Sequence, residues 1–104
     1  MIARYWSGEV PSARADDYQR YLEKTGIRDL SATSGNRGVY VLRRTEGDRT
    51  EFVFVSLWES LDAIRAFAGE DVEEARYYPE DREYLLEMSP RVKHYEVAAA
   101  PQTR

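Results

Sequence analysis

Apolar residues fill both arms of the stretch from Gly38 to Trp58, GVYVLRRTEGDRTEFVFVSLW, around a polar centre. In an extended strand successive side chains point to opposite faces. Two strands are expected here, joined by a tight turn at Gly47-Asp48, because glycine accepts the positive φ of a hairpin turn. In the first arm Val39 and Val41 share one face, with Tyr40 and Leu42 on the other. In the second arm Phe52, Phe54 and Trp58 oppose Val53, Val55 and Leu57. Both faces are therefore apolar, and exposing either would forfeit about 1.5–3 kcal/mol for each large side chain. Each face needs a cover. A second copy of the chain is the economical cover for whichever face its own helices leave bare.

The remaining pattern supplies those helices. Ile2 to Ser7 reads as a short strand, with Ile2, Arg4 and Trp6 on one face, ended by Gly8 and Pro11. Ser12 then predicts an N-cap for a helix over Ala13 to Thr25, with Ala15, Tyr18 and Leu22 as its apolar stripe and Gly26 as its C-cap. Asp16 and Arg20, four apart, are spaced to pair on its solvent side. Ile27 to Gly38 reads as a polar linker, with a turn at Gly35-Asn36. Ser60 predicts the cap of a second helix through Leu61, Ile64, Phe67 and Ala68, which Gly69 ends. Asp71 and Glu74 have capping-box spacing for a helical turn, and Pro79 opens a third helical piece as far as Met88. After Pro90, Arg91 to Val97 is the last strand. Strand, helix, strand, strand, helical segment, strand folds most simply into an α+β, ferredoxin-like plan, a four-stranded antiparallel sheet with helices on one face. Residues 1–104 are read as one domain, with residues 98–104 a loose tail.

Composition narrows the chemistry. A net charge of −4 disfavours nucleic-acid binding, which needs clustered Lys and Arg. No apolar run approaches the length of a membrane span, so neither a membrane partner nor a secretory leader is expected, and the default location is cytoplasmic. Without cysteine there is no disulfide, thiolate nucleophile or thiolate metal site. Nor is there a phosphate-cradling glycine loop, an HExxH motif or a pair of histidines. Eight Tyr, three Phe and two Trp serve either as core or as the lining of a slot for a planar ligand.

The stretches SLWESLDAIRAFAG, EARYYPEDREYLLEM and VKHYEV, with IARYWSG at the start, resemble the antibiotic biosynthesis monooxygenase family over nearly the whole chain. The resemblance implies a homodimeric α+β barrel in which two ferredoxin-like sheets pack face to face. It also implies a pocket between sheet and helices, where oxygenases of the family oxidise a small phenolic or quinol-type substrate with dioxygen and no metal or flavin cofactor. Such a site needs a planar apolar slot, a proton acceptor and a cation or N–H donor for the developing oxyanion.

Arg4, on an expected central strand, is the candidate to bind or polarise an oxygen; the alternative is a structural ion pair with Glu96. His94, the single histidine, is the candidate proton relay, and otherwise a packed or surface side chain. Trp6, Trp58, Tyr77 and Tyr78 are the candidate substrate-binding residues, against a purely structural role as core or as anchors of the bend at Pro79. Haem-degrading relatives depend on a first-strand asparagine, a tryptophan and a haem-ligating histidine on a helix. Arg4 and Trp6 occupy the first strand here and His94 the last, which argues against haem degradation. The competing expectation is a non-catalytic dimeric domain that binds a small molecule or serves in a stress response.

Overall fold

The computed structural model describes residues 1–101. Strands β1 (Ile2–Pro11), β2 (Asn36–Glu46), β3 (Arg49–Trp58) and β4 (Lys93–Glu96) form one antiparallel sheet in the order β2-β3-β1-β4. Helices α1 (Ala15–Lys24), α2 (Gly26–Ala32) and α3 (Leu61–Ala68) complete the ferredoxin-like plan. The hairpin turns at Gly47, whose φ of 59° lies in the left-handed region that glycine tolerates. No helix of the described residues is long and apolar enough to cross a membrane.

The alternation read from the sequence places side chains as expected on β3. Phe52, Phe54 and Trp58 are buried with Val10 of β1, Tyr18 and Leu22 of α1 and Ile64 of α3. Tyr18 meets Phe52 edge-on, with ring centroids 5.0 Å apart. Ser60 caps α3 by accepting the Ala63 N–H at 3.2 Å.

Several boundaries differ from those expected. β1 continues through Gly8 to Pro11, because it pairs with β3 from Ile2↔Trp58 to Pro11↔Arg49. Ser12 caps nothing; its hydroxyl donates to the Gly47 carbonyl, and a short 3-10 turn (Ser12–Arg14) precedes α1. Gly26 opens α2 instead of ending a helix, and Leu30 of that supposed linker joins the core. The break falls at Thr25, whose hydroxyl bonds back to the Tyr21 carbonyl at 2.9 Å. Asp16 pairs with Arg43 of β2, and Arg20 with Asp17.

Between α3 and β4 the chain is largely irregular. At Asp71 a single turn forms, with the Glu74 N–H on the Asp71 carbonyl at 3.0 Å, but it does not continue as a helix: the Ala75 N–H goes to the Pro90 carbonyl, and Arg91 pairs with Asp71 and Glu73. The piece after Pro79 is a 3-10 turn, Pro79–Glu83, after which the Leu86 N–H turns to the Glu9 carbonyl. The expected tail at 98–104 includes residues 102–104, which lie outside the described residues.

Candidate functional site

A cleft of about 60 Å³ opens between the inner sheet face, α1, α2 and the irregular segment. Its lining is mostly apolar and aromatic, with Arg4, Arg76 and Asp81 as the charged groups. Arg4 faces it because even-numbered residues of β1 point towards the helices. Arg4 stands between Ser56 of β3 and His94 of β4 in the pairing register.

Arg4 is only 4% exposed, yet no carboxylate among the described residues pairs with it. Glu96 lies opposite Ile2, two pairs along from Arg4 and His94, and the ion pair weighed from the sequence does not form. Instead Nη1 donates to the Val72 carbonyl and approaches His94 Nε2 at 3.1 Å, while Nη2 donates to the Glu74 carbonyl at 2.9 Å. Phe67 lies under the guanidinium, 5.8 Å from its ring centroid. The positive charge is thus held by dipoles and a π-face, with N–H groups left over for a further acceptor. Desolvation pulls the Arg4 pKa down to about 10, so the side chain is still a cation at neutral pH.

His94 stands behind Arg4 and does not line the cleft. A guanidinium cannot accept a hydrogen bond, so Nε2 must be the acceptor and the imidazole neutral with its proton on Nδ1. Burial lowers the His94 pKa and the Arg4 charge lowers it further, against a weaker upward pull from Glu73.

Trp6 and Tyr77 meet in the cleft wall: the indole N–H donates to the Tyr77 hydroxyl at 3.0 Å, which donates onward to the Ser89 carbonyl at 2.6 Å. Gly8 gives the indole its place, because a Cβ there would lie 2.7 Å from Trp6 Cη2. Tyr78 also lines the cleft, with its hydroxyl bonded to Asp29 of α2. Burial, together with that bond, pushes its pKa up to about 12. Trp58 lies outside the cleft, fully buried, with its indole N–H on Ser56 Oγ at 2.9 Å. The structure therefore brings together Arg4, Trp6, Tyr77 and Tyr78, sets His94 in contact with Arg4 from behind, and leaves Trp58 in the core.

Two charged residues of the cleft were not singled out from the sequence. Arg76 packs over the rings of Phe67 and Tyr78, at 4.7 and 5.4 Å, and reaches towards Asp29 at 3.8 Å. Asp81, from the 3-10 turn, is as buried as Arg4. The local signal was Pro79 followed two residues later by an acid, a spacing that also fits an ordinary solvent-exposed helix start.

Known structures share this architecture at low identity. The heme-degrader MhuD (Rv3592) of Mycobacterium tuberculosis, with two hemes bound in its active site, aligns at 19% identity and a TM-score of 0.64, covering 98% of this chain and 100% of that one. A putative antibiotic biosynthesis monooxygenase of Bacillus cereus aligns at 15% identity and TM-score 0.65, covering 98% and 97%. The NE2512 protein of unknown function from Nitrosomonas europaea aligns at 16% identity and TM-score 0.68, covering 99% and 94%. Such identities establish the shared fold alone. No curated protein sequence matches the chain. Residues 1–75, which hold β1 to β3 and all three helices, match the family described as antibiotic biosynthesis monooxygenase. This chain belongs to the antibiotic biosynthesis monooxygenase family.

Proposed function

We propose that the protein is a homodimeric oxygenase whose cleft binds a small phenolic or quinol-type aromatic and oxidises it with dioxygen. The observation that carries this reading is Arg4, a buried cation without a carboxylate, set in an aromatic cleft. A guanidinium so placed is suited to a phenolate or enolate oxygen, which gains a charge-assisted hydrogen bond where water is scarce. Trp6, Tyr77 and Tyr78 supply flat surface for the ring. Once the substrate is deprotonated it provides the electrons itself, and the protein need only hold it and favour its anion. Neutral His94 fixes the guanidinium through Nε2, so in this arrangement it orients Arg4 and is not itself the proton acceptor.

The dimer part of the reading rests on the other sheet face, where Tyr40, Leu42 and Tyr95 are 61%, 52% and 53% exposed. A second sheet laid on that face would cover them. Haem, which the Mycobacterium tuberculosis neighbour holds, does not fit the residues here: no histidine lines the cleft, and His94 Nε2 is turned to Arg4.

Oxygen uptake over a panel of anthrones and hydroquinones tests the oxygenase. At least one should be consumed by the native protein at ten times or more the rate with Arg4→Ala, and equal rates across the panel would overturn the reading. A second reading, a binder that does no chemistry, is favoured by the small volume of the cleft, which a fused-ring substrate would have to widen. Ligand binding without oxygen uptake would select it.

A further inference from the structure

The cleft carries a buried acid as well as a buried cation. Asp81 is 4% exposed and forms no ion pair among the described residues. Pro79 fixes the start of its 3-10 turn, and Asp81 Oδ2 accepts the Tyr78 N–H at 2.6 Å, which locks the carboxyl against the cleft wall. No described side chain or backbone N–H is bonded to the other oxygen, Oδ1, which is not sealed from open space. Close by, the buried Tyr21 hydroxyl faces the same carboxyl without forming a well-aligned hydrogen bond. A buried carboxylate that lines the cleft with one oxygen only loosely served is a sign of a polar occupant, since buried polar groups are otherwise nearly always fully paired.

We propose that Asp81 takes the proton from a ligand hydroxyl in the cleft, so that the preferred ligand is an aromatic whose hydroxyl is conjugated to a second oxygen held by Arg4. The inference rests on the ligand site proposed above and adds the missing proton acceptor. One proton moves: the ligand O–H bond breaks, its electron pair stays on the ligand, and a new O–H bond forms on Asp81. The charge spreads through the ring to the oxygen at Arg4. The groups acting on the carboxyl are compatible with this role. Tyr18 and Tyr21 face it from α1, Tyr77, Tyr78 and Glu80 from its own segment, while Arg4 and Arg76 share the cleft. Burial raises the Asp81 pKa, against the Tyr78 N–H bond and the Tyr21 hydroxyl, which lower it, while Glu80 raises it further. A raised carboxyl is a better match for a phenol than one in water.

4-Nitrophenol is a suitable probe, because its anion absorbs at longer wavelength than the neutral form and its nitro group supplies the conjugated oxygen. Mixed with the native protein near the acid side of neutrality, the bound probe should show the anion band. With Asp81→Asn, which keeps an oxygen for the Tyr78 N–H, the bound anion fraction should fall about tenfold while binding persists. 4-Nitroanisole, which has no proton to give, should bind both proteins alike. An anion band of equal strength in the two proteins would overturn the role of Asp81 and leave the Arg4 site standing. Failure of the native protein to bind either compound would overturn the site itself. Melting temperatures report whether the amide disturbs the turn; if it does, Asp81→Ser, whose hydroxyl also accepts from Tyr78, gives the same reading.

Discussion

The two faces of one sheet use the same strands and the same alternation, and they meet opposite surroundings. On the inner face, Phe52, Phe54 and Trp58 are closed over by α1, α2, α3 and the irregular segment, and polar Arg4 and Ser56 are buried among them. On the outer face, Val53, Val55 and Leu57 are only half covered, and Tyr40, Leu42 and Tyr95 stand in the open. At its hairpin end the outer face turns charged, with Glu9, Arg44, Glu46, Arg49 and Glu51 together. Hydrophobicity alone does not distinguish the faces. What separates them is that the covered face contains buried charge, and buried charge in an aromatic cleft is where ligand chemistry is expected. The bare face, apolar at its centre and charged at its rim, has the composition of a protein–protein interface.

The sharpest way to separate the faces is truncation. Phe52→Ala should cost about 3–5 kcal/mol in urea denaturation, because the ring is enclosed on all sides. Tyr40→Ala should change the stability of the isolated monomer by no more than about 0.5 kcal/mol. Comparable losses at the two positions would mean that the faces are not distinct.

A charge placed on the bare face tests what covers it. Val55→Asp should halve the mass found by sedimentation at micromolar concentration while leaving the far-ultraviolet spectrum unchanged. A native protein that sediments as a monomer would break the dimer reading.

The smallest effect concerns pH on the covered face. His94 titrates below its unfolded value of about 6.5, so the unfolded chain binds its proton more readily than the folded one. Stability should therefore fall as pH drops through about 6.5 towards the folded value. His94→Gln, which keeps an acceptor for Arg4, should flatten urea midpoints across that window. An unchanged slope would remove His94 from the contact inferred here.

Much of the fold was legible because alternation is a local signal. The faces of β2 and β3, the turn at Gly47 and the cap at Ser60 need only neighbouring residues to be decided. α2 was missed because its seven residues carry only Leu30 and Gly26 as buried positions, too few for a visible stripe. The irregular segment was misread as helical for a different reason. Its acids have helix-start spacing, but Arg91, some twenty residues away in the chain, claims Asp71 and Glu73. Within the site, Arg4 stood out as a cation on an apolar strand. Asp81 did not, because an acid after Pro79 is ordinary until the fold lays α1 across it.

Arg4 also answers to two masters. The guanidinium that faces the cleft is what holds the carbonyls of Val72 and Glu74 in place. A guest would take the N–H groups that those carbonyls leave free, so one side chain serves both the cleft and the segment leading to β4.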